Sequence, residues 1–170
     1  MYMHYLCHGA AAQIAGSLRA ALATSKTPLE KPAPPAPEPT TPPQWVKIAN
    51  DTIGRQGTLR GGVLSFGLAR SQEITENGMT LASPQGVAES INFQETGAGK
   101  VATTGDFVLT AEEVNPVISA LEEHHISITA LHSHMLTEQP RLFFMHFWAA
   151  GNTASVAAGI KAALSDIALK

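Results

Sequence analysis

The sequence predicts a small, mainly β domain, built as an antiparallel barrel or sandwich with flanking helices. The chain has 170 residues, 44% of them hydrophobic, which is enough for one ordinary core. Short segments rich in β-branched and aromatic residues recur between Gly, Asn, Pro and Ser, as in antiparallel sheets. A net charge of −3 and scattered Lys and Arg provide no basic surface, so we expect no nucleic-acid partner.

The first 43 residues are predicted to lie outside this domain. Residues 1–27 contain Gln13 and Arg19 and lack the roughly 18 consecutive apolar residues of a membrane span. They also lack a basic start, so an atypical leader and a disordered segment both stay open. Residues 28–43, "PLEKPAPPAPEPTTPP", favour extended polyproline conformation and indicate a linker. The only cysteine, Cys7, precedes the domain at 44–170, which therefore has no internal disulfide.

Three segments of this domain have helical spacing. "QWVKIANDTIG" predicts a short opening helix that ends at Gly54. "TAEEVNPVISALEEHH" begins with a capping box formed by Thr110 and Glu113. "NTASVAAGIKAALSDIALK" has Asn152 as a candidate N-cap. The last two helices are expected to pack outside the sheet.

Five segments predict strands, and the last two of them carry three histidines. In chain order the segments are "TLRGGVLSFGLAR", "ESINFQ", "KVATTGDFVLT", "ISITALHSHM" and "RLFFMHFWA". Side chains alternate along a strand, so His132 and His134 should share a face. If "MLTEQPR" connects a hairpin that pairs His132 with His146, all three imidazoles lie on that face. A one-residue slip would break the alignment.

Three imidazoles on one sheet face predict a metal site. The nitrogens would lie about 2 Å from one ion, on rigid strands, with a position left for substrate or water. The alternative is three separate histidines, each satisfied by a backbone partner, but their aromatic surroundings would make that burial costly. Nitrogen ligands favour copper on affinity; three histidines also suit zinc, and two with Glu138 would suit non-haem iron.

Glu138 has two open interpretations. "HSHMLTE" resembles the first metal motif of cupins, small antiparallel barrels in which the Glu of this motif is a ligand. Here Pro140 follows closely and His146 arrives after only eight residues. Glu138 is therefore either a ligand or a turn carboxylate that pairs with Arg141. His124 and His125 end a predicted helix, where the dipole favours imidazolium, and we interpret them as structural.

Several blocks resemble a bacterial family of domains of unknown function typified by the mycobacterial lipoproteins LppY and LpqO. The blocks are "IGRQGTLRGGVL", "GDFVLTAEEVNPVISAL", "ITALHSHMLTEQPRLFFMHFWA" and "AAGIKAALS". Within that family the chain is similar to compact cupin-type copper enzymes that cleave cellulose oxidatively with peroxide or oxygen and a reductant. The resemblance implies a cupin-like barrel, copper bound by His132, His134 and His146, and Gln94 as a nearby fourth group.

The resemblance also implies a secreted or cell-envelope location. A homodimer is expected because small barrels commonly pair through exposed strand edges. Two alternatives use the same histidines: a non-catalytic, envelope-associated metal-binding domain and a zinc-dependent hydrolase.

Overall fold

The computed structural model describes residues 5, 7–31, 33 and 41–170, in two compact units, Met1–Pro35 and Ala36–Lys170. The first unit contains helix α1 (Ala11–Leu22), none of whose residues is buried. Much of the predicted linker, at residues 32 and 34–40, lies outside the described residues. None of the described helices is long and apolar enough to cross a membrane.

Among its described residues, the second unit contains three α-helices and eight strands. They are α2 (Gln44–Ile53), β1 (Thr58–Arg60), β2 (Val63–Ala69), β3 (Thr75–Glu76), β4 (Met79–Thr80), β5 (Ala88–Gly97), β6 (Lys100–Leu109), α3 (Ala111–Glu123), β7 (Ser127–His132), β8 (Phe143–Asn152) and α4 (Thr153–Ser165).

Six of the strands form one antiparallel sheet in the order β1-β2-β5-β6-β8-β7. The mainly β, antiparallel fold with flanking helices is thus confirmed. Among the described strands, β1 and β7 are the two ends of the pairing, so the hydrogen bonds describe an open sheet rather than a closed ring. Gly61 and Gly62 connect β1 to β2 with φ of 59° and 77°, a conformation that suits the twist of a tight hairpin.

The three helices of this unit belong to a large hydrophobic core on one face of the sheet. Their ends are set by local sequence, as predicted: Gly54 closes α2 in the left-handed conformation, and Thr110 and Glu113 form the capping box of α3. Asn152 accepts hydrogen bonds from the backbone N–H groups of Ala154 and Ser155 at the start of α4. Burial of the apolar faces of these helices against the sheet is the main stabilising contribution of the fold.

Within the second unit, the described residues cover the opposite face at one end only. There a second, smaller core is formed by Ile74, Val87, Val108, Leu142 and Phe144. It draws on the segment between β2 and β5, which contains the β3–β4 hairpin. That hairpin was not predicted, although its Asn-Gly turn, with φ of 50° and 75°, is a strong local signal. The candidate site lies where this cover ends.

Candidate metal centre

Successive side chains of strand β8 point to opposite faces of the six-stranded sheet. Met145 and Phe147 are buried in the large core, whereas Phe144, His146 and Trp148 point to the other face. In β7, Ala130 pairs with His146 and His132 pairs with Phe144. The predicted pairing of His132 with His146 is therefore wrong by two residues. Because side chains alternate with a period of two, this shift keeps both imidazoles on one face.

His134 reaches the site from a loop rather than from a strand. Strand β7 ends at His132, three residues before the end of the predicted segment. The His134 ring stacks on Phe144, with ring centroids 3.5 Å apart and an interplanar angle of 9°. Phe144 is fully buried in the smaller core, so it gives this loop histidine a fixed support. His134 is therefore held at the site by its contact with Phe144 and not, as expected, by a position in strand β7.

Glu138 anchors the same loop. Its carboxylate accepts hydrogen bonds from the backbone N–H of Leu142, at 3.1 Å, and from Arg141, at 3.3 Å. Arg141 also donates to the hydroxyl of Ser133, at 3.1 Å. Glu138 is only 1% exposed and does not belong to the group of side chains that could share an ion. The pairing with Arg141 is confirmed, and the ligand interpretation of Glu138 is not supported by its position.

The three histidines converge. One ligand atom from each of His132, His134 and His146 lies within 4.8 Å of the other two. The Nε2 atoms of His132 and His146 are 2.8 Å apart. The group is accessible from solvent, because His132 is exposed and the side chain of His146 is 37% exposed, while that of His134 is 14% exposed.

Asp106 is a fourth member of this site that the sequence analysis did not predict. It lies on β6 directly opposite His146, on the same face. Its carboxylate oxygens are 3.7 Å from Nδ1 of His146 and 4.0 Å from Nε2 of His134. The feature of the sequence that could have indicated Asp106 is a carboxylate inside the otherwise apolar strand "GDFVLT". A negative charge beside a ligand imidazole favours a proton on the nearer nitrogen, which leaves the lone pair of the other nitrogen for a metal.

Gln94, the expected fourth group, is not brought to the histidines. It lies on the same sheet face but pairs with Ala102, four residues along β6 from Asp106. That separation corresponds to roughly 13 Å along the strand. Ser90 is the residue of β5 that pairs with Asp106. The amide of Gln94 is therefore beyond the reach of an ion held by the three imidazoles.

The donor set fits a transition-metal ion. Two nitrogens that lie about 2 Å from one ion at 90° to each other are about 2.8 Å apart. This is the observed Nε2 separation of His132 and His146. Without metal, the same contact is a hydrogen bond in which one ring donates and the other accepts. These two rings are therefore close enough to bind one ion together.

Residues 47–166 match the family described as Domain of Unknown Function (DUF1259), so the chain belongs to that family. The matched region runs from α2 to the end of α4 and includes all three histidines and Asp106. Comparison with curated proteins and with solved structures gave no match.

Proposed function

We propose that this DUF1259 domain is a secreted or envelope-associated copper oxidoreductase. It would cleave cellulose or a related polysaccharide, with peroxide or oxygen as co-substrate and a reductant as electron source. The observation that carries the proposal is the convergence of His132, His134 and His146 at an accessible position. The blocks "GDFVLTAEEVNPV" and "TALHSHML" resemble the LppY/LpqO-type family. The further likeness of the chain to compact copper enzymes within that family is the basis for the proposed substrate class.

Copper is the metal that the donor set favours. Neutral imidazole nitrogens bind divalent copper more strongly than they bind the other divalent first-row ions. Copper(II) also prefers tetragonal geometry, in which neighbouring ligands subtend about 90°.

The chain's own residues keep the donors in place. Asp106, 3.7 Å from Nδ1 of His146, favours a proton on that nitrogen and leaves the Nε2 lone pair for the metal. The buried ring of Phe144 fixes His134 by stacking. His132 is exposed, so the side of the group that it occupies is open to a large substrate.

When bound, copper supplies the redox chemistry by which peroxide hydroxylates a C–H bond beside a glycosidic oxygen. One peroxide oxygen enters the C–H bond and the other leaves as water. The hydroxylated carbon then expels the neighbouring sugar as an alcohol and becomes a carbonyl group. The protein holds the sugar at the histidines and, through the smaller core at Phe144, shields one side of the site from water.

A zinc-dependent hydrolase is the second candidate, and the position of Asp106 favours it. Three histidines with an open coordination position describe a catalytic zinc site. A carboxylate within 4.0 Å of two of the imidazoles is close enough to accept a proton from a nearby water. Such an enzyme would need no reductant, and chelator would abolish its activity until zinc is restored.

The test is metal analysis and activity in one preparation of the full chain. The protein is stripped, reloaded with copper, analysed for copper content, and then incubated with swollen cellulose, ascorbate and peroxide. His134→Ala is compared with His125→Asn, which changes an exposed histidine outside the site. Asn tolerates the positive φ of 56° at position 125, so the control variant should fold normally.

The proposal expects about one copper per chain and oxidised cello-oligosaccharides from the parent protein and from His125→Asn. His134→Ala should lose both while it keeps its thermal unfolding transition. Tight copper binding in His134→Ala would refute the ligand assignment. Stoichiometric copper without oxidised sugar would refute the oxidoreductase and favour zinc hydrolysis, or a metal-binding envelope domain without turnover.

A further inference from the structure

A row of side chains crosses the uncovered part of the sheet beside the metal centre. Trp148 pairs with Thr104, Thr104 with Asn92, and Asn92 with Ser65, so the four side chains lie side by side on β8, β6, β5 and β2. We call these four residues the Trp148 row. It spans three strand spacings, roughly 14 Å. Trp148 is two residues from His146 on the same strand face, so the row begins roughly 7 Å from His146 along the strand.

Trp148 is the unusual member of the row. Its side chain is 49% exposed, and the described residues leave its outer surface open to solvent. On the other side of β8 its neighbours Phe147 and Ala149 are buried in the large core, so the backbone that carries the indole is firmly held. A large aromatic ring on a rigid strand beside an accessible site is suited to stacking against the apolar C–H face of a sugar ring.

The other members of the Trp148 row are neutral hydrogen-bonding groups with fixed orientation. The hydroxyl of Ser65 donates to the side-chain oxygen of Asn92 at 2.7 Å. The hydroxyl of Thr104 donates to the backbone carbonyl of Phe147 at 3.1 Å. The Asn92 amide N–H groups and the hydroxyl lone pairs then remain available to a ligand on this surface. Such groups complement the hydroxyls of a sugar chain.

The absence of charge from the Trp148 row favours a neutral polymer over a charged one. None of the four side chains is charged, and the nearest charge on this face, Asp106, is negative. An acidic polysaccharide or a nucleic acid would lose hydration at these four side chains and gain no ion pair with them; the cation on this face nearest to Ser65, Arg60, lies beyond the row on the edge strand β1. A neutral chain avoids that cost, since its hydroxyls exchange water for the groups of the row.

From this geometry we infer that the Trp148 row is a docking surface for a neutral polysaccharide chain. The chain lies across the strands over the row and stacks one sugar on Trp148, so that the edge of this sugar faces His146, two residues along β8. This inference rests on the proposed function for its substrate class. It adds the residues that bind the polymer and predicts that binding does not depend on the metal.

The test is binding of the full chain to phosphoric-acid-swollen cellulose in the presence of EDTA, followed by copper loading of the same variants. Trp148→Ala removes the ring, and Trp148→Phe restores an aromatic face. Thr104→Glu leaves Trp148 in place and puts a charge into the row at an exposed position. Met79→Ala, which truncates a 36% exposed apolar side chain on the β3–β4 hairpin, is the matched control.

Trp148→Ala and Thr104→Glu should each weaken binding about tenfold, whereas Trp148→Phe should lose less and Met79→Ala nothing. All four variants should still bind one copper per chain, as measured after reloading. Unchanged binding by both Trp148→Ala and Thr104→Glu would overturn the inference. Failure of the parent protein to bind swollen cellulose would overturn it as well. Metal-independent binding that requires Trp148, without oxidised products, would support the docking surface and contradict the oxidoreductase.

Discussion

The two faces of the six-stranded sheet differ in what covers them. The residues of β8 show the contrast at adjacent positions, since Phe147 is fully buried under the helices while His146 is accessible on the other side. The helix-covered face is a continuous apolar core, and the other face has a small core at one end and exposed polar groups elsewhere. One strand can thus supply stability with its odd-numbered residues and chemistry with its even-numbered ones. Residues on the open face can therefore bind ligands without loss of apolar packing on the covered face.

The largest expected effect comes from truncation on the covered face. Phe147→Ala should lower the free energy of unfolding by about 3–5 kcal/mol, because it removes a fully buried ring stacked on Phe107 at 4.7 Å and leaves a cavity. His146→Ala, one residue away, should cost less than about 1 kcal/mol in the metal-free protein. Urea unfolding monitored by circular dichroism measures both. Similar losses in the two variants would mean that the open face also carries the stability of the sheet.

The covered face also holds a buried group of charged residues, Arg70, Glu89 and Glu113, which should make the stability of the protein depend on pH. Arg70, 3% exposed, lies 3.7 Å from Glu89 and 2.8 Å from Glu113. Burial raises the pKa of Glu89 to about 8, although the hydrogen bond from the Val108 N–H and the charge of Arg70 act against this. Burial acts in the same direction on Glu113, but hydrogen bonds from Arg70 and two backbone N–H groups outweigh it and lower its pKa.

Glu89 should therefore make the folded protein less stable as the pH rises. The folded chain keeps a proton on Glu89 that the unfolded chain releases near its ordinary pKa of 4.5. The stability contributed by that proton is complete below pH 4.5 and is lost as the pH rises towards 8, with a slope of at most about 1.4 kcal/mol per pH unit. The lowered pKa of Glu113 acts in the acid range instead.

Glu89→Gln should flatten this profile, because the neutral amide can still accept the hydrogen bond from the backbone of Val108 and does not titrate. Urea unfolding at several pH values between 5 and 8 measures the slope for the parent protein and the variant. Glu95→Gln, an exposed change on the same strand, is the control and should keep the parent slope. Equal slopes in the parent protein and Glu89→Gln would show that other groups cause the dependence.

On the open face, Asp106→Asn should weaken copper binding about 10- to 100-fold and leave the unfolding free energy nearly unchanged. The variant keeps the shape of the side chain but removes the negative charge that lies 3.7 Å from His146. Competition with a copper-binding dye measures the affinity. Asp51→Asn, on the exposed side of α2, removes the same charge far from the histidines and should bind copper like the parent protein. If Asp106→Asn also matches the parent protein, the carboxylate does not support the ligands.

Local sequence predicted those parts of the fold that short-range interactions determine. The ends of the helices followed from Gly54, the Thr110–Glu113 capping box and Asn152, each of which acts within a few residues. The strands followed from alternation and β-branched content. Alternation accounts for His132 and His146 on one face, whereas His134 lies in the loop between their strands and is placed by its contact with Phe144.

Contacts between distant segments account for what was missed. The β7–β8 register depends on an irregularity between Ile128 and Ala130 and on a loop closed by Glu138, neither of which has a local signature. Asp106 comes from β6, which lies beside β8 only because of the strand order of the whole sheet. Strand order is a property of the tertiary structure. The sequence therefore predicted a strand that contains Asp106 but not that this strand lies beside β8.

The smallest expected effect tests the boundary of the site along the sheet. Gln94→Ala should leave copper affinity within about twofold of the parent value, because Gln94 lies level with Ala102, roughly 13 Å along the strand from Asp106. The same dye competition measures it, beside Asp106→Asn as the positive comparison. A loss in Gln94→Ala as large as in Asp106→Asn would require β5 to shift by four residues against β6. A shift by an even number of residues keeps every side chain on the same face of the sheet. The observed register and the shifted one therefore differ only in the distance of Gln94 from Asp106 along the strand, which this variant tests.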